Sequence, residues 1–150
     1  MLIWVLFTLH LLGAAFWVGG MGFALLALRP ALPLLEVPQR LALHAAVLKR
    51  FFLVVWHAMP VMLLTGYGLT KLSYGSFRTA PPELHAMAGL GVLMSVVFLV
   101  IFFGPWKATR AALAAGNLPA AAAGFGRIRQ LVTLNFALGL LTIATAAWES

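Results

Sequence analysis

The sequence contains no cysteine and only three acidic residues. The absence of cysteine excludes disulfides, thiolate metal sites and cysteine nucleophiles. The three acids, Glu36, Glu83 and Glu149, all fall in loops or at segment ends. No carboxylate pair or nucleophilic triad is therefore predicted. We name no catalytic residue, and whether the protein is an enzyme stays open.

Charged residues of either sign are scarce, and apolar residues fill the rest of the chain. Of 150 residues, 63% are hydrophobic and 9% are charged, with a mean hydropathy of +1.03. Soluble domains carry about 25% charged residues, so the composition predicts an integral membrane protein. Its partner is the lipid bilayer rather than nucleic acid, despite a net charge of +7.

Four apolar segments each approach or exceed the roughly 20 residues that span a bilayer. The sequence predicts an all-α fold, a four-helix transmembrane bundle forming a single domain over residues 1–150, with helices at about 2–28, 45–72, 83–106 and 128–148. Arg29-Pro30, followed by Pro33 and Pro38, is expected to end the first helix. Gly116-Asn117 and Pro119 predict a turn with helix on both sides.

The basic residues divide unevenly between the loops. Eight of the ten lie in or beside loops 1 and 3, and two lie in loop 2: Arg29, Arg40, Lys49, Arg50, Lys107, Arg110, Arg127 and Arg129, against Lys71 and Arg78. Because basic loops stay in the cytoplasm, both termini are expected on the outer, periplasmic side of a bacterial inner (plasma) membrane. The protein is then multi-pass.

Three of the four histidines fall in the half of the bundle that this topology makes the outer one. His10 lies ~13 Å into helix 1 at ~1.5 Å per residue, His85 lies at the start of helix 3, and His57 lies near the middle of helix 2. His44 lies at the inner end. Each imidazole alone can simply satisfy a nearby backbone group, but three together favour a metal site.

Small residues accompany the histidines at helical spacing. Helix 1 carries Gly13, Trp17 and Gly20 on the His10 stripe. The faces of helices 2 and 3 that carry His57 and His85 are expected to meet that stripe. Small residues on such faces allow close helix packing or leave room for a flat cofactor.

Four stretches resemble the CopD-type membrane proteins, whose domains are labelled copper-resistance D. They are "HLLGAAFWVGG", "KRFFLVVWHAMPVMLLTGYGL", "GPWKATRAALAAGNLPAA" and "GRIRQLVTLNFALGLLTIA", which together cover nearly the whole chain. More distantly, His10, Trp17 and the His85-Ala86-Met87 stretch resemble the HemJ group of four-helix protoporphyrinogen oxidases, which are linked to heme b. Met87 stands where that group has a lysine, so the oxidase activity is not carried over.

The first functional hypothesis is a heme b protein for electron transfer or oxidation at the outer face. His10 would be one axial ligand and His85 or His57 the other. Gly13 and Trp17 would help to line the heme slot. Arg78, with Lys71, would face the heme propionates.

The alternative is copper binding or transport without heme. Cu(I) favours imidazole and thioether ligands, and His10, His57, His85, Met59, Met62 and Met87 are the outer-half candidates. Either hypothesis implies a periplasmic redox or copper-carrying partner. A structural subunit of a membrane complex is a third hypothesis, and an oligomer is compatible with all three.

Overall fold

Residues 1–148 are described by a computed structural model; Glu149 and Ser150 lie outside the described residues. The described chain is helical, without strands, and its four long helices are α1 (Leu2–Leu34), α2 (Val37–Tyr74), α3 (Pro82–Ala114) and α4 (Leu118–Trp148). Each is long and apolar enough to cross a membrane. The predicted all-α fold with four membrane-spanning helices is confirmed.

The first two helices extend beyond the predicted bounds because the helical backbone accommodates Pro30 and Pro38. Pro30 cannot donate a backbone hydrogen bond, and a π-helical segment, Ala24–Leu28, takes up the irregularity just before it. Pro38 lies in the first turn of α2, where the missing N–H has no helical partner anyway. The two helices therefore almost meet, with Leu35 and Glu36 between them.

The second pair of helices is also longer than predicted. A π-helical segment, Phe102–Trp106, contains Pro105 and lets α3 continue to Ala114. The turn that follows has Gly116 at φ 68°, a left-handed conformation that favours glycine. Asn117 Oδ1 then accepts a hydrogen bond from the Ala120 N–H at 3.2 Å, which caps the start of α4.

The helices pack chiefly in the pairs α1 with α2 and α3 with α4. One cavity is lined by the first halves of α1 and α3 and by the last halves of α2 and α4. Successive helices therefore run in opposite directions. We call the side that holds this cavity the N-terminal end of the bundle, and the other side the opposite end. Towards the opposite end, Phe52 packs edge-on against Phe98, Phe102 and Trp106 at centroid distances of 5.9, 6.2 and 5.1 Å.

Candidate metal site in an intramembrane cavity

A cavity of about 230 Å³ lies between all four helices at the N-terminal end. We call it the His10 cavity. Its polar and sulfur-bearing lining residues are His10, Met62, Tyr67, Thr70, Met87, Met94 and Thr142, and Trp17 forms part of its apolar wall. Side chains that can bind a soft metal therefore reach one cavity from three helices.

His10 is held in the cavity wall by a contact with α2. Its Nδ1 lies 2.9 Å from Thr65 Oγ1, and Thr65 is 5% exposed. The Thr65 hydroxyl donates its single proton to the Val61 carbonyl at 2.6 Å. With that proton on Val61, Thr65 accepts from the Nδ1–H tautomer of His10, which leaves the lone pair of the ring on Nε2.

Gly66 provides the room for the His10 ring. A Cβ atom at Gly66 would lie 3.1 Å from His10 Cε1, closer than ordinary side-chain contacts. The ring thus lies directly on the backbone of α2, beside its hydrogen-bond partner. This arrangement resembles that of metal-binding histidines, which usually donate their second ring N–H to another protein group.

Three methionines line the same cavity. Met94 is 4% exposed, and its Sδ lies 3.8 Å from Thr142 Oγ1, whose hydroxyl also donates to the Leu138 carbonyl at 2.8 Å. Met62 and Met87 are half-buried. Their thioethers are soft ligands of the kind that Cu(I) accepts beside an imidazole.

His57 faces away from this cavity. It is exposed on the outer surface of α2, and its Nδ1 donates to the Leu53 carbonyl at 2.8 Å on its own helix. The sequence pattern had placed the His57 face inside the bundle, but the buried stripe of α2 passes through Met59 and Thr65. The apolar His57 face is compatible with lipid, so hydrophobicity alone did not distinguish the two faces.

His85 also lies outside the cavity. It is exposed, its Nδ1 donates to the Pro81 carbonyl at 3.0 Å, and its ring packs edge-on against Phe77 at 6.1 Å. Phe77 lines the cavity and stacks on Tyr67 at 5.8 Å. His85 therefore packs against Phe77 from outside the cavity. Arg78 is exposed in the adjoining turn.

The small residues of α1 allow close helix packing. Gly13 is buried, and a Cβ there would lie 2.6 Å from Met62 Cγ. A Cβ at Gly20 would overlap the ring of Phe51. The stripe through Gly13 and Gly20 is thus packed against α2 side chains, whereas Trp17 is buried and lines the cavity.

The predicted histidine cluster does not form in the described residues. Within residues 1–148, no three His, Asp or Glu side chains come together as a metal-binding group. The cavity instead combines one imidazole with thioethers. Thr65 was missed as a functional residue, although the helical spacing of Met62 and Thr65 could have marked the buried face of α2.

Fold and cavity together define a multi-pass helical membrane protein with a soft-ligand cavity within the bundle. The family model for Copper resistance protein D matches residues 45–149. The chain belongs to this family and is a copper-resistance-related membrane protein, which confirms the CopD resemblance. The match begins after α1, so His10 lies outside the matched residues.

A relative from Aquifex aeolicus (strain VF5), described as an uncharacterized protein, is 36% identical over 105 residues, or 69% of this chain and 68% of that protein. No solved structure matches the chain. The resemblance to the HemJ group stays a prediction.

Proposed function

We propose that the protein binds Cu(I) as cargo in the His10 cavity and exchanges it with a copper-carrying partner outside the membrane. The observation that carries the proposal is the state of His10. Its Nδ1 lies 2.9 Å from Thr65 Oγ1, while its ring borders a cavity shared with three thioethers. Family membership supports the choice of copper.

The donor set suits the cuprous ion. Nε2 of His10 offers a neutral nitrogen, and Met62, Met87 and Met94 offer uncharged sulfur atoms. Among the described residues 1–148, no Asp or Glu lines the cavity. A harder cation such as Mg²⁺ or Ca²⁺ prefers oxygen ligands, so the cavity selects against it.

The access side follows from the charge distribution and the packing. With the basic loops in the cytoplasm, the His10 cavity faces the periplasm of a bacterial inner membrane, and both termini lie on that side. Towards the other side, the interior is filled by the aromatic cluster around Phe52, which also includes Phe98. This supports binding and release at one face over passage through the bundle.

Heme b receives less support than copper. Bis-imidazole ligation needs a second histidine opposite His10, and neither His57 nor His85 lines the cavity. The volume of about 230 Å³ is below the ~300–1,000 Å³ usual for drug-sized ligands, and heme is a large ligand. A purely structural subunit is also less favoured, because it would have no use for a cavity of soft donors.

The proposal is tested by copper binding to protein purified in mild detergent. We expect one Cu(I) per chain in competition with a chromophoric Cu(I) chelator under anaerobic conditions. X-ray absorption should show one nitrogen and two or three sulfur neighbours. His10→Ala should weaken binding by more than the roughly 10–100-fold typical of losing a group behind a ligand.

His57→Ala and His85→Ala are the matched controls, because each removes an exposed imidazole and leaves the cavity unchanged. Both should bind copper like the unmodified protein. A Soret band accompanied by sharp α and β bands on reduction, and lost in His10→Ala and in one of the controls, would instead establish heme. Oxygen-only coordination of the copper would also overturn the proposal.

A further inference from the structure

A second, larger cavity opens at the opposite end of the bundle from the His10 cavity. Its volume is about 520 Å³. It lies between the end of α1, the start of α2 and the first half of α4, and we call it the His44 cavity. It is lined by Leu25, Arg29, Pro30, Leu32, Pro33, Val37, Arg40, Leu41, His44, Ala122, Phe125 and Gly126.

The polar lining of this cavity is entirely cationic or neutral. Arg29, Arg40 and His44 contribute its titratable groups, and no Asp or Glu of the described chain lines it. Both arginines are half-buried. Two arginines that line one space without a described carboxylate favour an anion between them, and the planar fork of arginine suits phosphate oxygens.

Arg40 has hydrogen-bonding capacity left over. One of its terminal nitrogens donates to the Leu35 carbonyl at 3.1 Å. Its Nε is shielded from solvent and has no hydrogen-bond partner within the described residues. A shielded, charged donor of this kind is usually paired, and Arg40 gains such a partner when its guanidinium turns towards a ligand oxygen in the cavity.

The remaining lining is apolar. Leucine and proline side chains of α1 and α2 form one wall, and the ring of Phe125 stacks on His44 at 4.3 Å, 13° from parallel. A ligand that fills this space therefore needs a phosphate group and an apolar part. A phospholipid has both, and basic pockets between transmembrane helices are known to take anionic headgroups.

We propose that the His44 cavity binds the phosphodiester headgroup of an anionic phospholipid, with Arg29 and Arg40 as its ligands. The phosphate accepts hydrogen bonds from the two guanidinium groups. The apolar wall takes the first part of an acyl chain. The site is independent of copper binding, since the two cavities share no residue.

Native mass spectrometry of the delipidated protein tests this inference. Phosphatidylglycerol is added in one arm, phosphatidylcholine of the same acyl chains in a second, and inorganic phosphate as a competitor in a third. We expect one phosphatidylglycerol per chain to be retained preferentially. Phosphate at millimolar concentration should not displace it, because phosphate lacks the apolar part.

Arg29→Gln and Arg40→Gln should each reduce the affinity for phosphatidylglycerol by about fivefold, the factor equivalent to about 1 kcal/mol per cation at a membrane surface. The double variant should lose the preference over phosphatidylcholine. Arg127→Gln is the matched control, because Arg127 is an exposed arginine near the same end that does not line the cavity. It should change the affinity by less than twofold.

Three results would overturn the inference. Equal retention of the two lipids by the unmodified protein would show that no charge-selective site exists, whatever the variants do. An equal loss in Arg127→Gln would assign the effect to general surface charge. Full displacement by inorganic phosphate would keep the anion site but refute a lipid as its ligand.

Discussion

Replacing Thr65 by valine should weaken Cu(I) binding without removing any copper ligand. Thr65 is 5% exposed, and its Oγ1 is the hydrogen-bond partner of His10 Nδ1 at 2.9 Å. Valine keeps the shape of the side chain but cannot accept that bond. In the copper-free variant, the Nδ1–H of His10 has no acceptor. The ring is then expected to rotate towards another acceptor or to carry its proton on Nε2 instead.

Copper binding requires the ring to return to its original orientation and tautomer, and the free energy of that return lowers the affinity. A buried donor without a partner costs about 1–3 kcal/mol, which corresponds to roughly 5–150-fold in a dissociation constant. Losing the group that orients a histidine ligand typically weakens metal binding 10–100-fold. Both estimates predict that Thr65→Val binds Cu(I) between about 10 and 100 times more weakly in chelator competition.

Thr70→Val is the control for the same cavity. Thr70 is 2% exposed and lines the cavity, but its hydroxyl donates to the Gly66 carbonyl at 2.9 Å. Thr70→Val should therefore bind copper like the unmodified protein. Thr65→Ser keeps the acceptor and should restore most of the affinity. Undiminished copper affinity in Thr65→Val would refute the role of Thr65 in orienting His10.

Further predictions concern topology, packing and the sulfur ligands. A reporter fused after Ser150 should be active in the periplasm, and a brightly fluorescent C-terminal GFP would reverse the topology. Gly124→Ala should lower stability by about 1–3 kcal/mol in thermal unfolding, because its Cβ would overlap Thr109 Oγ1. Gly126→Ala has open space and should gain up to about 1 kcal/mol; equal effects at the two glycines would contradict this packing. Met87→Leu should weaken Cu(I) binding by about tenfold with the fold intact; unchanged affinity would remove Met87 from the ligand set.

The fold was predictable because hydropathy is a strong signal, but its bounds were not. Arginine and proline after Leu28 suggest a helix end, and they do interrupt the apolar run. The backbone nevertheless continues through a π-helical segment before Pro30. How a proline is accommodated depends on backbone geometry along several neighbouring residues, which the identity of the proline alone does not encode.

The site was predictable on α1 and not on α2 or α3. On α1, Gly13 and Trp17 mark the buried stripe, and His10 falls on it. On α2, the choice of the His57 face over the Met59 face could not be made from hydrophobicity, since a lipid-facing surface is as apolar as the interior. A polar side chain in an apolar helix predicts an interior position, but the Nδ1–H of His57 is satisfied by the Leu53 carbonyl of its own helix.

That distinction explains why one histidine is a better ligand candidate than the other two. His57 and His85 each donate Nδ1 to a carbonyl four residues earlier, at 2.8 and 3.0 Å, a bond that any exposed helical histidine can make. His10 is hydrogen-bonded across a helix interface to the hydroxyl of Thr65, which also lies 2.6 Å from the Val61 carbonyl. Only the second arrangement fixes the ring relative to another helix. A ligand held in this way is oriented before the metal arrives, so binding loses less conformational entropy.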